Sequence, residues 1–290
     1  MTHSATIEND LRYEHCPLCS SERVSIVGRI PYDSPTRFST SEFEFAAAPE
    51  LWHCKGCGSS FVQNAVPEET AIGLYTSGAS GERWSSEEFQ LLKPENQLST
   101  LNSYLRAGAS VLDIGCNTGE LLDYARARGS KTIGVEYSGA SRKVLERKGH
   151  DSFASLADVS GEFDVITAFD LVEHFYDVPG FFRRCKALLK KGGVLVILTG
   201  DIGSLTARVS KADWWYLRYP EHIVFPSREF FARHSGLRLE KWVRTYASKG
   251  YESSWSQILG QLLGGLVRRR YSGLPSIGPD HVLVVLKNER

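Results

Sequence analysis

The chain has no apolar run of eighteen residues, no internal repeat and no low-complexity tract. The first absence removes any segment long enough to cross a bilayer as a helix. The N-terminus, Met1, Thr2, His3 and Ser4, opens no secretion signal, so the expected location is the cytoplasm. Net charge is lacking as well, because 34 Lys and Arg balance 34 Asp and Glu. A phosphate-binding protein usually carries a basic footprint, so the balance weighs against nucleic acid as substrate. What is present is 290 residues with 42% hydrophobic content, ample for one large buried core and a small second module.

The six cysteines divide four plus two. Cys16 and Cys19 form one Cys-x-x-Cys knuckle and Cys54 and Cys57 a second. Each knuckle can present two thiolates to one tetrahedral zinc, and four cysteine ligands leave no open position for a catalytic water. The spacing predicts a structural zinc in a small β module over residues 10–65, with strands near residues 24–29 and 42–45. A disulfide pair is the alternative, one that a chain without a secretion signal disfavours. Cys116 and Cys185 stand apart, the first as a small residue in a turn and the second in an expected helix core.

Val111, Leu112, Asp113 and Ile114 form an apolar strand that runs into Gly115, Cys116, Asn117, Thr118, Gly119 and Glu120, followed by a helix over residues 121–128. Glycines at 115 and 119 allow a ligand close to the backbone, and Asn117 tolerates the same unusual conformations. Asp113 at the strand end suits a cationic amine better than a pyrophosphate. A second strand, residues 131–135, ends at Glu136 and Tyr137, where the carboxylate can grip a ribose diol.

These residues resemble the first motif of class I S-adenosylmethionine-dependent methyltransferases, which reads like Val-Leu-Asp-Ile-Gly-Cys-Gly-Thr-Gly. Here Asn117 replaces the middle glycine. The family order continues with residues 162–167 as fourth strand and residues 188–197 as turn and fifth strand. The resemblance covers residues 95–290. It implies an α/β, Rossmann-like, seven-stranded domain after a zinc module and a helical linker at residues 66–94. It also implies S-adenosylmethionine held by Asp113, Gly115, Asn117, Gly119, Glu136 and Tyr137, with Phe169 and Asp170 on the methionine side.

Asp170, Glu173 and His174 fall at i, i+3 and i+4, so a helix there would put all three on one face. Related RNA 3′-terminal and ubiquinone-pathway enzymes carry a similar Glu-x-x-Glu-His and use a divalent metal. The other role expected for the segment is shaping the pocket.

Residues 212–227 form an insertion with Trp214, Trp215, Tyr216 and Tyr219, expected to roof the site above the strand ends. The rings can stack against a sugar or ring face, or they can plug a long connection. Tyr219, Pro220, Glu221 and His222 resemble the Tyr-x-Glu-His segment of sugar C-methyltransferases. That resemblance implies that the histidine or a nearby tyrosine is the base, with His222 the first choice, Glu221 orienting it or binding substrate, and His174 the second choice of base. The N-terminal module followed by such a domain is similar to bacterial sugar, polysaccharide and natural-product methyltransferases.

Trp255, Ile258, Leu259, Leu262, Leu263, Leu266 and Val267 recur at helical spacing before Arg268, Arg269 and Arg270. They predict a helix packed on the sheet or on a second copy in a homodimer. The arginines are a solvated run or a diphosphate contact. The expected activity is methylation of a small-molecule acceptor, a sugar, nucleotide sugar or natural-product intermediate, on oxygen or carbon. An RNA methyltransferase whose zinc module grips RNA, and a cofactor-binding protein without turnover, are the alternatives.

Overall fold

The computed structural model describes residues 5–32, 36–38, 41–77, 93–249 and 276–290. The amphipathic segment at 255–267 and the arginine run after it lie outside the described residues, as does part of the 66–94 linker. No described helix is long and apolar enough to cross a membrane.

The N-terminal part contributes β1 (Ala5–Ile7), β2 (Val24–Arg29), β3 (Thr36–Phe38), β4 (Ser41–Phe45), β5 (Glu50–Cys54) and β6 (Ser60–Gln63), then helix α1 (Glu68–Ser77). The second part begins with α2 (Glu95–Asn102). It continues with β7 (Ser110–Ile114), α3 (Glu120–Arg126), β8 (Lys131–Val135), α4 (Gly139–Arg147), β9 (Asp151–Phe153) and β10 (Phe163–Phe169). The remaining elements are α5 (Val178–Leu188), β11 (Leu189–Gly200), α6 (Leu205–Ser210), β12 (Val224–Phe225), α7 (Arg228–Arg233), β13 (Arg238–Thr245) and β14 (His281–Lys287).

Among the described residues, seven strands form one sheet in the order β13-β14-β11-β10-β7-β8-β9. The five strands from β11 to β9 are parallel, and β14 runs antiparallel to both β11 and β13. Parallel strands covered on both faces read as continuous apolar runs. Val111 and Leu112, Val165 and Ile166, and Val194 through Leu198 are accordingly buried. The chain reverses its direction of growth between β7 and β10, which opens a crevice at the C-terminal ends of those strands.

Local chemistry fixes the helix starts. Ser138 accepts from the Ser141 amide ahead of α4, Asp177 from the Gly180 amide ahead of α5, and Ser227 from the Phe230 amide ahead of α7. Residues 190–193, read from the sequence as a turn, are instead the first part of β11. The Gly192 amide donates to the Asn288 carbonyl at 2.8 Å and the Asn288 amide group to the Leu189 carbonyl at 2.9 Å, extending the ladder. The two-glycine stretch produces only a register shift against Phe163 and Val165.

The N-terminal strands are not a separate bead. β12, from the second part of the chain, pairs antiparallel with β6 and completes the sheet β12-β6-β5-β2. One buried cluster joins Leu51, Phe61 and Val62 to Trp214, Phe225, Phe230 and Phe231. A second, on the other face of the large sheet, gathers Leu101, Tyr124, Val196 and Leu283.

Candidate active site

Asp113 is buried near the end of β7 and accepts from the Thr167 hydroxyl of β10 at 2.7 Å. Burial pushes its carboxyl up to about 7, and the nearby charges of Glu120 and Glu136 push the same way. The turn after it uses left-handed backbone at Gly115 (φ 75°), Asn117 (φ 47°) and Gly119 (φ 88°). At Gly119 a Cβ would also come within 2.6 Å of Leu145, so both conformation and space require glycine. Asn117 fits because its short polar side chain tolerates this region; its amide carbonyl accepts from Ser141 at 3.1 Å.

Glu136 follows β8 and shapes the turn from the other side. Its two oxygens accept from the backbone amides of Asn117 at 2.9 Å and Ser138 at 2.7 Å, and their remaining lone pairs suit a diol. Tyr137, the next residue, is 58% exposed. Phe169 ends β10 with the Lys93 ammonium 5.6 Å from its ring centroid, and Lys93 also lies 3.8 Å from the Asp170 carboxylate. The crevice is thus lined by the carboxylates of Asp113, Glu136 and Asp170 and by the backbone of the glycine turn.

The helix expected over Asp170, Glu173 and His174 does not form as one face. Asp170 adopts left-handed backbone (φ 49°), and only Val172–His174 makes a short 3-10 turn. Asp170 therefore stays at the exposed rim with Lys93, while Glu173 is fully buried. The fold substitutes His222 for Asp170. Ligand atoms of Glu173, His174 and His222 all lie within 4.8 Å of one another, a spacing that can hold a cation or pass a proton. The two imidazole rings meet edge to face with centroids 4.8 Å apart.

Each imidazole is oriented by a backbone carbonyl. His174 Nδ1 donates to the Glu221 carbonyl at 2.8 Å, and His222 Nδ1 donates to the Tyr216 carbonyl at 2.7 Å. A carbonyl only accepts, so in His222 the partner assigns the proton to Nδ1 and leaves Nε2 as the basic nitrogen, whereas the His174 ring also meets the Asp170 carbonyl. Burial pushes His174 down to about 4 and holds His222 well below its ordinary value, so both are neutral at pH 7. Glu173 is pushed the opposite way, up to about 8, by burial and by the charge of Asp170. Its two oxygens accept from the Tyr216 hydroxyl and from Thr199 at 2.9 Å. Glu221 contributes its backbone carbonyl, and its side chain is half-buried.

The aromatic insertion is fastened inward. Both indole N–H groups, of Trp214 at 3.2 Å and Trp215 at 2.6 Å, donate to one oxygen of Asp280. Trp214 is fully buried and serves as a plug, whereas Trp215 is only half-buried. Beside the imidazole pair a crevice of about 10 Å³, room for one water, is lined by Val66, Ala71, Leu74, Tyr176, Pro220, Glu221 and His174. Thr167, Thr199 and Asp280 are site residues that the sequence reading did not assign, and Tyr216, expected only in the roof, also reaches Glu173. The usable signal was a lone threonine within each apolar strand, β10 and β11; Tyr216 and Asp280 reach their partners only through the fold.

The four knuckle cysteines converge. Cys16 and Cys57 have Sγ atoms 3.8 Å apart, and Cys19 and Cys54 3.6 Å apart. Both separations exceed a disulfide bond and match the edge, about 3.8 Å, of a tetrahedron with Zn–S distances of about 2.3 Å. The Gly56 amide donates to Cys54 Sγ at 3.2 Å, and hydrogen bonds from Cys16 and Ser59 pull the Cys57 thiol below its ordinary range. Cys116 and Cys185 are buried away from this cluster.

Comparison with known proteins agrees with this geometry. Residues 87–235 match a family described as "Methyltransferase domain". Proteins named ubiquinone biosynthesis O-methyltransferase are similar: that of Bradyrhizobium sp. (strain ORS 278) is 35% identical over 116 residues, 37% of this chain and 45% of the relative. That of Nitrobacter winogradskyi is 38% identical over 102 residues, 32% of this chain and 39% of the relative. The chain therefore spans less than half the length of these curated relatives. Among solved structures, an S-adenosylmethionine dependent methyltransferase from Mesorhizobium loti aligns with TM-score 0.46 and 16% identity, covering 66% of this chain and 97% of that one. A geranyl diphosphate C-methyltransferase from Streptomyces coelicolor A3(2) aligns with TM-score 0.45 and 18% identity, covering 67% of this chain and 80% of that one. The match over residues 87–235, carried by the glycine turn between β7 and α3, makes the chain a member of the class I S-adenosylmethionine-dependent methyltransferases.

Proposed function

We propose that the protein transfers the methyl group of S-adenosylmethionine to a hydroxyl oxygen of a small-molecule acceptor. The observation that carries this reading is the neutral imidazole of His222, held with Nε2 as its basic nitrogen beside His174 and buried Glu173. The bound cofactor supplies an electrophilic methyl on a sulfonium, with its leaving group already in place. The protein's own tasks are alignment and removal of the acceptor's proton.

In this reading His222 takes the proton at Nε2 and His174 stands second in reach. Glu173, within 4.8 Å of both, offsets the charge of the imidazolium when its own carboxyl ionises. Glu221 positions His174 through its carbonyl. Asp113 holds the cofactor's ammonium and Glu136 its ribose; Gly115, Asn117 and Gly119 supply close backbone, and Tyr137, Phe169 and Asp170 line the rim. A zinc ion on Cys16, Cys19, Cys54 and Cys57 staples the N-terminal sheet and takes no part in the chemistry.

An acceptor hydroxyl is favoured by relatives named as O-methyltransferases. Sugar, nucleotide-sugar and natural-product intermediates remain the acceptor classes to screen, together with phenols. The test is incubation with S-adenosylmethionine bearing a deuterated methyl group and a fractionated bacterial extract, followed by mass spectrometry. Label on oxygen of soluble metabolites supports the reading, whereas label confined to RNA or to carbon overturns it.

A further inference from the structure

We infer that the N-terminal thiolate module is a clamp on the loop carrying Tyr219, Glu221 and His222, so that metal at the four cysteines sets the position of that loop without governing the cofactor turn. The inference concerns where the loop sits, and it holds whichever imidazole takes the acceptor's proton.

The ties run through backbone and side chain alike. The Val62 amide of β6 donates to the Ile223 carbonyl at 2.8 Å, and Val224 and Phe225 pair with Phe61 and Ser60. Two residues beyond β12, the Ser227 hydroxyl donates to the carbonyl of Cys57, itself a thiolate of the cluster. The Ser227 amide donates to the Ser59 hydroxyl at 3.0 Å. At the loop's leading end the Tyr219 hydroxyl donates to the Asn64 carbonyl at 2.9 Å and accepts from the Asn9 side chain at 3.0 Å. Residues 219–227 are thus gripped at both ends by the module.

The same loop carries the acceptor side. The Ile223 amide donates to the Glu173 carbonyl at 2.9 Å, and Glu221 and Tyr216 supply the carbonyls that orient His174 and His222. The hydrogen bonds of the glycine turn, by contrast, run from the Thr167 hydroxyl to Asp113 and from the Asn117 and Ser138 amides to Glu136, all within the methyltransferase domain. A strand of two residues has too little ladder to hold its own register, so its place depends on the partner strand and on Ser227. The knuckle at Cys54 and Cys57 sits directly between β5 and β6, where metal binding fixes the start of that partner strand.

The experiment uses the full chain, purified with its zinc content measured, before and after metal removal by a chelator under reducing conditions and after zinc is returned. Hydrogen exchange by mass spectrometry reads residues 58–66, 110–140 and 214–230, calorimetry reads S-adenosylhomocysteine affinity, and ¹⁵N-histidine spectra read the rings of His174 and His222. The expected result is exchange rising about tenfold or more at 60–63 and 219–227, displaced histidine signals, and cofactor affinity within about threefold, all reversed by zinc. Unchanged exchange at 219–227 after the knuckles have opened overturns the clamp, as does joint loss of cofactor binding, which would make the metal a support for the whole fold.

Two variants keep all four thiolates. Ser227→Ala removes the tie to Cys57 together with the α7 cap, and Ser59→Ala removes the acceptor for the Ser227 amide and the Ser59 hydrogen bond to the Cys57 thiol while leaving that cap in place. Both are expected to retain one zinc per chain and cofactor affinity while displacing the His222 signal and raising exchange at 219–227 about threefold or more. Raised exchange in Ser227→Ala with none in Ser59→Ala would trace the effect to the helix cap and overturn the proposal.

Discussion

The Tyr216 hydroxyl donates to Glu173, so a roof residue and a buried carboxyl at the end of the sheet form one hydrogen-bonded unit beneath the imidazole pair. Burial raises the Tyr216 phenol well above its ordinary range, which keeps it a donor at every pH at which the protein is folded. Tyr216→Phe leaves Glu173 with Thr199 alone. The expected cost is about 1–3 kcal/mol of unfolding free energy, measured by urea denaturation at pH 7. An unchanged midpoint would remove Tyr216 from this role.

Stability should fall as pH rises from about 6.5 to about 8. Glu173 and Asp113, raised to about 8 and about 7 in the fold, bind protons that the unfolded chain has already released. Their contribution is full below the unfolded carboxyl range and lost as pH passes through the folded values. His174, lowered to about 4, acts with the opposite sign and costs stability only as pH drops below its unfolded value. Glu173→Gln should flatten the decline between pH 6.5 and 8, as read by thermal unfolding across a buffer series.

Cofactor affinity should depend on pH through Asp113. Its carboxyl is raised to about 7 without ligand, and a neighbouring ammonium favours the ionised form, so binding releases a proton. Affinity then weakens by up to about tenfold per unit below pH 7. Asp113→Asn should lose at least about tenfold in affinity, near 1.4 kcal/mol, and abolish that pH dependence. Calorimetry in two buffers of different ionisation enthalpy counts the proton directly.

His222→Gln should lower kcat by about 10²–10⁴-fold with S-adenosylhomocysteine affinity unchanged, once an acceptor is in hand. His174→Gln should fall less. If the two effects are reversed, His174 is the base and His222 its neighbour.

Purified protein should contain one zinc per chain. Cys54→Ser should lose it and lower the melting temperature, while Cys116→Ser and Cys185→Ser should keep it, because both of those cysteines lie outside the cluster. Elemental analysis after gel filtration decides this.

The sequence made local features legible and left the long-range ones hidden. The strand at Lys131–Val135 and the turn from Gly115 to Gly119 follow from residue types within a few positions, since left-handed backbone and apolar runs are local signals. The four cysteines were readable because metal geometry constrains spacing. Asp170 was placed with Glu173 and His174 on helical spacing, and the left-handed backbone at Asp170 breaks that periodicity. The pairing of Val224 with Phe61 carries no local signal, because its partner lies far back in the chain. Trp214 and Trp215 were readable as a roof, but the oxygen they share on Asp280 comes from the approach to the last strand.

That shared carboxylate has a consequence for the order in which the molecule is made. Residues 212–227 leave the ribosome well before Asp280, so for that interval the roof is held by the N-terminal strands and by Glu173 and His174, without the carboxylate that both indoles share in the finished fold. The cofactor crevice, built from residues 110–169, can close on ligand first. The acceptor side is completed only when β14 slots between β11 and β13, so the fastening of the roof waits for the last strand of the sheet.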